Sequence, residues 1–488
     1  MVEEAEVSKW IKEKAGPKAS LYLDSRRIQP GDVFFAVCGT HTDGRKFVAK
    51  AAELGASCAV VESVAHFKAE IPFTEVCDLY KKCGAIASDY YGNPSQAMYG
   101  CAVTGTNGKT TTANWISELF TKLGKPSGCI GTLGCTCQGE PLPSVAMTTP
   151  DPLTVQKLFA ELRDRGCEAF AIEASSIGLE QGRLRGAAFK VGIFTNLTRD
   201  HLDYHGDMEH YAEAKEILFS WPGLEYAVIN FGDPASERMA QAALRAGVKV
   251  FSVGISQEAK YDLTACNVRH AREGLSFDLV FEGRVKHVTT RLLGTFNIEN
   301  FLCAAAPCIL SGFDFELVCE TAQNLNPPAG RMQTVTADDG LLAAVDYSHT
   351  PDAILKALAA LRGLAEVRGG RLKIVVGAGG DRDSGKRPLM GRAACEADEM
   401  IFTSDNPRSE DPMLILREVC AGAVKPYRMI EDRAEAIREA VRSSSSDDVI
   451  LIAGKGHEDY QEIQGVKHHF SDAEQARSAM MEFRKKHE

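Results

Sequence analysis

Apolar positions along this chain fall into short β-prone runs, each followed by a polar or glycine-rich turn and then by helical spacing. Ala102-Val103 leads to Thr104, and Gly105-Thr106-Asn107-Gly108 follows as a tight loop. Lys109-Thr110-Thr111 then opens a stretch in which Trp115, Ile116, Leu119, Phe120 and Leu123 recur at helical spacing, until Gly124 and Pro126 stop it. The pattern predicts strand, loop and helix. Earlier in the chain, residues 32–37 read as a strand, 47–54 as a helix and Ala59-Val60-Val61 as the next strand.

Five further apolar runs end in polar turns. Residues 170–172 precede Glu173-Ala174-Ser175-Ser176, and 191–194 precede the segment 195–201. Residues 373–376 precede 377–386, and 400–402 precede Asp405-Asn406-Pro407-Arg408. Residues 449–452 precede Gly454-Lys455-Gly456-His457-Glu458. Open α/β sheets place ligand sites beyond the carboxyl ends of their strands, so these junctions are the candidate chemistry. At 488 residues the chain is expected to hold about three domains. Turn-rich Tyr91-Gly92-Asn93-Pro94-Ser95 and Pro327-Pro328-Ala329-Gly330 set the boundaries, giving 1–95, 96–330 and 331–488, all of the α/β class. Ser443 to Ser446 reads as a short polar loop, and no repeat of fixed period is present.

Composition narrows the classes. A hydrophobic content of 44% with 25% charged residues is that of a globular protein with real cores. A net charge of −11 argues against nucleic-acid binding. No apolar run reaches the roughly 18 residues of a membrane span, so no membrane insertion is expected. The acidic start Met1-Val2-Glu3-Glu4 lacks the features of a signal peptide. Fifteen scattered cysteines suit reduced thiols in a cytoplasmic protein, although Cys135 and Cys137 lie close enough for a redox role to be considered.

The loop at 105–111 fits phosphate binding. Its glycines let backbone N–H groups surround phosphate oxygens, and the helix start adds partial positive charge. Lys109 can reach the terminal phosphates, and the Thr110 hydroxyl can bind Mg²⁺. The usual eight-residue pattern is not met, since its first position is Val103; an ordinary glycine turn is the bland alternative. Glu173 stands where a metal-directed carboxylate is expected, or is simply a strand-end carboxylate in solvent. The segment 196–206 is dense in ligands, including His201 and His205, but a polar loop with two surface histidines has the same composition. Lys215 shares a helical face with Tyr211, Ala214 and Leu218. A lysine there must snorkel, find an anion or lose its charge; as a neutral amine it could react with CO₂ to form a carbamate. Asp405-Asn406-Pro407-Arg408 offers a planar guanidinium beside a rigid turn, suited to a carboxylate. Gly454 to Glu458 offers backbone groups and a carboxylate to an ammonium. Together they suit a zwitterionic amino acid, though either alone is commonly a surface loop.

Taken together these motifs resemble the Mur ligase family across nearly the whole chain. The resemblance implies an N-terminal UDP-binding domain, a central P-loop ATPase-like domain and a C-terminal Rossmann-like domain. Gly105, Thr106, Asn107, Gly108, Lys109, Thr110 and Thr111 resemble the ATP site, with Asn297 and Asn300 in the segment 292–300 similar to the adenine-contacting stretch. Thr110, Glu173, His201 and Lys215 are then the metal set, with Lys215 as a carbamate, and Lys109, His201 and Lys215 the catalytic group.

Leu23-Asp24-Ser25-Arg26, followed by 31–34 and Asp43-Gly44, resembles the branch that adds the third residue of the peptidoglycan stem peptide. That implies UDP-N-acetylmuramoyl-L-alanyl-D-glutamate as a substrate. Leu23, Ser25, Thr148, Thr149, Ser175, Gln181 and Arg183 would hold it, with Thr40, His41 and Thr42 at a variable uridine-contacting position. Asp405, Asn406, Pro407 and Arg408, with Gly454 to Glu458, resemble the signature for meso-diaminopimelate over L-lysine, and Arg387 is implied to help position the amino acid. One departure is Ile177, where many relatives have histidine. The implied chemistry is ATP- and Mg²⁺-dependent ligation through an acyl phosphate, by a cytoplasmic monomer. The alternatives are an L-lysine-adding sister, folylpolyglutamate synthetase, a P-loop NTPase without ligation, and a catalytically dead nucleotide-binding regulator.

Overall fold

The computed structural model describes residues 2–39, 42–63, 67–143 and 147–483. Thr40 and His41 lie outside the described residues. The chain divides into two compact units, one of residues 1–254, 260–263 and 300–318, the other of 255–259, 264–299 and 319–488. Three α/β sheets account for most of the strands.

The first unit contains two of them. One is a four-stranded parallel sheet in the order Leu21–Tyr22, Val33–Ala36, Cys58–Glu62 and Phe73–Val76. Helices Val2–Ala15 and Leu79–Tyr90 cover one face, burying Val7, Ile11, Leu79, Cys83 and Ile86 on it. The strand expected at 32–37 is trimmed at both ends. The Asp32 carboxylate accepts hydrogen bonds from Ser20 N and Gln29 N, and Val37 N turns back to Phe35 O. The helix expected at 47–54 spans Val48–Glu53, because Asp43 starts a 3-10 turn, Gly44–Phe47, by accepting from Arg45 N.

The other sheet in this unit orders Lys249–Ile255, Tyr226–Asn230, Val191–Phe194, Tyr99–Thr104, Ala169–Glu173 and Ser127–Gly131 as parallel neighbours. Antiparallel strands Gly134–Cys137 and Glu140–Leu142 follow. The inner strands are buried on both faces, which is why they read as continuous apolar runs. Register then places the site. Val103 pairs with Glu173 and Thr104 with Phe194, so three strands end at one edge. Helix Lys109–Lys122 leaves that edge and buries Trp115, Ile116, Leu119 and Phe120, as its spacing predicts.

The second unit is built on a six-stranded sheet in the order Gln333–Thr336, Leu342–Asp346, Val449–Ala453, Leu372–Val376, Glu399–Phe402 and Arg428–Met429. The first pair is antiparallel and the rest parallel. Helices Pro351–Arg368, Lys386–Ala394 and Pro412–Cys420 pack one face; Arg433–Arg442 and Asp472–Phe483 pack the other. The polar loop at 443–446 connects a helix to a central strand, as expected. No disulfide joins the cysteines, although the Cys137 and Cys167 sulfurs lie 3.4 Å apart. Among the described residues no helix is long and apolar enough to cross a membrane.

One buried ion pair fastens two strand ends of the second unit. Arg433 and Asp472 are fully buried and meet through two 2.7 Å bonds. The same guanidinium donates to Ala453 O at 3.0 Å and to Ser404 O at 3.4 Å. Arg433→Met strands a buried carboxylate and two carbonyls, so it should cost about 3–5 kcal/mol in denaturant unfolding. Arg433→Met/Asp472→Leu should recover part of that loss. An unchanged unfolding midpoint in the single variant would contradict this role.

Candidate active site

The strand Tyr99–Thr104 delivers the chain into a loop that only glycine can follow closely. Gly105 has φ 148°, and a Cβ there would stand 1.9 Å from Thr195 Oγ1. Gly108 has φ 85°, and its Cβ would meet Asn300 Oδ1 at 2.2 Å. The neighbouring strand end holds the loop: Thr106 N donates to Asn196 O at 2.8 Å and Asn107 N to Asn196 Oδ1 at 2.9 Å. Lys109 curls back, donating to Gly105 O at 2.8 Å and Thr106 O at 2.9 Å. Thr110 and Thr111 are buried in the first helical turn. Thr110 Oγ1 donates to Glu173 Oε2 at 2.9 Å, so loop and carboxylate meet as expected. Thr132 fixes that carboxylate from the other side, through its N at 2.7 Å and its hydroxyl at 3.2 Å.

A second hydrogen-bonded group continues along the same edge. Thr149 Oγ1 donates to Glu173 O at 2.7 Å and lies 2.9 Å from Ser175 Oγ. Ser175 caps the short helix Ser176–Glu180 by accepting from Gly178 N. Arg183 donates to Thr149 O at 2.8 Å and clasps Gln181 Oε1 with two bonds. Thr148 Oγ1 lies 3.0 Å from Thr132 Oγ1. Thr148, Thr149, Ser175, Gln181 and Arg183 therefore form one network with Glu173. Ser25 is buried in a 3-10 turn capped by Asp24, Leu23 packs on the N-terminal core and Thr42 is exposed. These three do not hydrogen-bond into that network.

Lys215 is the unusual member. Helix Met208–Glu216, capped by Asp207, buries it with Tyr211 and Ala214, while Leu218 is buried in the following turn. It is 1% exposed, and its amine donates to Gly105 O at 2.9 Å while lying 4.4 Å over the Tyr211 ring. Burial, aided by the positive charge of Lys109, holds the amine well below the usual lysine range, with Asp200 opposing in part. The snorkelling alternative is excluded. His201 adopts φ 52°, is half-exposed, and its backbone N donates to Asp200 Oδ1. Among the described residues no three His, Cys, Asp or Glu side chains cluster tightly enough to hold a metal. The donors here, the Thr110 hydroxyl and Glu173 with the His201 imidazole on the adjacent loop, suit an ion that keeps water and takes phosphate oxygens.

The second unit brings its own expected residues together. Lys455 is fully buried, with its ammonium 2.9 Å from Asn406 Oδ1, 3.3 Å from Glu458 Oε2 and 3.5 Å from Asp405 Oδ1. Asn406 Nδ2 donates to Glu458 Oε2 at 2.8 Å. Gly454, at φ 120°, leaves no room for a Cβ, which would stand 2.7 Å from Asp405 Oδ2. Pro407 carries the chain into Arg408, at φ 52°, whose guanidinium donates to Gly380 O at 2.6 Å and lies 3.7 Å from Glu462. Arg387 is placed differently from its neighbours: Glu410 and Glu418 bind its guanidinium at 2.7–2.9 Å. Asn297 donates to Leu293 O at 2.8 Å and lies with Asn300 in helix Phe296–Leu310.

Sequence reasoning missed Thr132, which is remote in the chain from Glu173, and the contacts by which Lys455 joins Asn406 to Glu458. It also left His205 as a surface candidate. His205 is instead buried, bonded to Ser176 Oγ at 3.0 Å.

Family models match three consecutive stretches: the Mur ligase family catalytic domain over 19–93, the Mur ligase middle domain over 103–308, and the Mur ligase glutamate ligase domain over 330–456. A relative from Janthinobacterium sp. (strain Marseille), named UDP-N-acetylmuramoyl-L-alanyl-D-glutamate--2,6-diaminopimelate ligase, is 42% identical over 98% of this chain and 96% of its own. A relative of the same name from Geobacillus thermodenitrificans is 40% identical over 97% of both chains. A solved structure bearing that enzyme name aligns with a TM-score of 0.70 at 36% identity, covering 95% of this chain and 94% of the other. With family models over most of the chain and relatives at 40–42% identity covering nearly all of it, the chain belongs to the Mur ligase family.

Proposed function

We propose that this chain is an ATP-dependent ligase joining meso-diaminopimelate to UDP-N-acetylmuramoyl-L-alanyl-D-glutamate, a step in peptidoglycan precursor synthesis. The observation that carries the reading is the continuous hydrogen-bonded row from Thr110 through Glu173 and Thr149 to Ser175, which puts a phosphate loop beside a polar turn fit for a second anion. The relatives' shared name supplies the substrate class.

A carboxylate does not condense with an amine at neutral pH. The D-glutamate carboxylate is first converted to an acyl phosphate by attack on the γ-phosphorus of ATP, with ADP leaving. Two anions must approach, and Lys109 screens them once its ammonium turns from the loop carbonyls to phosphate. Gly105 to Thr111 hold the phosphates through backbone N–H groups, and Asn297 and Asn300 serve the adenine end. Arg183, Ser175, Thr148, Thr149 and Gln181 orient the dipeptide, and Leu23, Ser25 and Thr42 the UDP end. Thr110, Glu173, His201 and Lys215 as a carbamate would hold Mg²⁺, which supplies charge neutralisation at the phosphoryl oxygens.

The amine of the amino acid then attacks the acyl carbon and phosphate departs. Arg408 pairs with the distal carboxylate of diaminopimelate, a group L-lysine lacks. Gly454 and Glu458 hold the distal amino and carboxyl groups beside it, with Asp405 and Asn406 positioning the amino acid and Pro407 shaping the turn. Arg387, held by Glu410 and Glu418, supports this pocket from behind. The domains are taken as 1–95, 96–330 and 331–488, and the enzyme as a cytoplasmic monomer.

ADP release should require the muramoyl-dipeptide and diaminopimelate together, with a product of the ligated mass. Lys109→Ala should lower turnover by about 10²-fold or more. Brisk ATP hydrolysis without co-substrates would favour a plain NTPase instead.

Arg408→Ala should raise the KM for diaminopimelate by about tenfold or more, leave that for ATP nearly unchanged, and narrow the preference over L-lysine. Equal use of both amino acids by the unaltered protein would contradict the assignment.

A further inference from the structure

Beyond the residues above, a short helix, Leu202–His205, reaches from the loop carrying His201 onto the turn carrying Ser175. Three contacts make the bridge. Tyr204 OH accepts from Gln181 Nε2 at 3.1 Å. His205 Nδ1 lies 3.1 Å from Glu180 Oε2, and His205 Nε2 lies 3.0 Å from Ser176 Oγ. A carboxylate can only accept, so Nδ1 carries a proton; in the neutral imidazole, which burial favours, Nε2 then accepts from the serine hydroxyl. The order Glu–His–Ser matches that of a serine hydrolase, but Ser176 is 2% exposed and the His205 side chain 1%, so no substrate reaches the hydroxyl. The geometry serves position instead.

On its other side the imidazole packs on Tyr211, with ring centroids 5.1 Å apart. Tyr211 OH lies 3.1 Å from Thr106 Oγ1 in the phosphate loop. One histidine thus touches both the turn and the helix that borders the loop.

We infer that His205 is a positioning residue that fixes Ser176, and through it the Ser175–Thr149 pair, so that the turn accepts the dipeptide carboxylate in register with the phosphate loop. Ser176 is the residue next to Ser175, and Ser175 Oγ both caps the turn and meets Thr149. Losing the serine bond lets this turn rotate while leaving the ATP-facing groups in place. The inference rests on the ligase reading of the site.

Two near-isosteric variants separate the two ring nitrogens. His205→Gln can present an amide near the Nε2 position and keep Ser176; His205→Asn can present one near Nδ1 and keep Glu180 only. Steady-state ligation with the full-length protein, varying each substrate in turn, is the test, with thermal unfolding of each variant alongside. His205→Asn and Ser176→Ala should each raise the KM for the muramoyl-dipeptide by about 3–10-fold, with the KM for ATP within about twofold. The double variant should add nothing further, and His205→Gln should recover most of the loss. An unchanged dipeptide KM in His205→Asn, an equal rise for ATP, or additive effects in the double variant would overturn the inference. Failure of the unaltered protein to ligate at all would overturn the ligase reading along with it.

Discussion

Two lysine amines share one carbonyl oxygen. Gly105 O accepts from Lys109 at 2.8 Å and from Lys215 at 2.9 Å, and Lys215 is sealed from water. Two ammonium groups that close, one without solvent, repel strongly in a low-dielectric interior. Burial and Lys109 both push the Lys215 amine toward its neutral form. A neutral amine is a nucleophile. The proposed carbamate, formed by addition to CO₂ and proton loss, would be an anionic oxygen ligand and would turn repulsion with Lys109 into attraction. The buried Tyr211 ring and the close-packed glycine loop hold this amine against Gly105 O.

That constraint is met because the parallel sheet registers its strand ends. Thr104, Glu173 and Phe194 finish at one edge, so a loop, a carboxylate and a turn arrive together without long side-chain reach. Glu173 is gripped by Thr110 and Thr132, and Thr149 Oγ1 donates to Glu173 O and accepts from Ser175 N. The second unit repeats the device with Ala453, Val376 and Phe402 in register, and the Asp405–Glu458 cluster beyond them. Its buried Lys455 is placed differently from Lys215: Asp405, Glu458 and Asn406 surround its amine within 3.5 Å.

Much of this was legible along the chain, for a physical reason. A strand–glycine turn–helix unit is local, so the turn at Gly105 to Gly108 and the helix behind it declare themselves through spacing alone. Continuous apolar runs marked strands buried on both faces, and the Tyr211–Lys215–Leu218 face marked an unusual lysine, although only the structure decides between snorkelling and burial. What spacing cannot carry is tertiary partnership. Thr132 reaches Glu173 from 41 positions away, and His205 reaches Ser176 across 29. Arg387 reads as a ligand-facing cation, yet Glu410 and Glu418 claim its guanidinium. The strand ends at Asp32 and Val37 were overread because side-chain and turn hydrogen bonds there replace the ladder.

The most direct test is chemical detection of the modified lysine. The protein is equilibrated with ¹³C-labelled bicarbonate near neutral pH and observed by ¹³C NMR, with Lys215→Met as the control. The account predicts one protected carbamate resonance in the unaltered protein, its disappearance in Lys215→Met, and ligation that falls when CO₂ is stripped from the buffer. Full ligation without a carbamate resonance, or a resonance that persists in Lys215→Met, would contradict it.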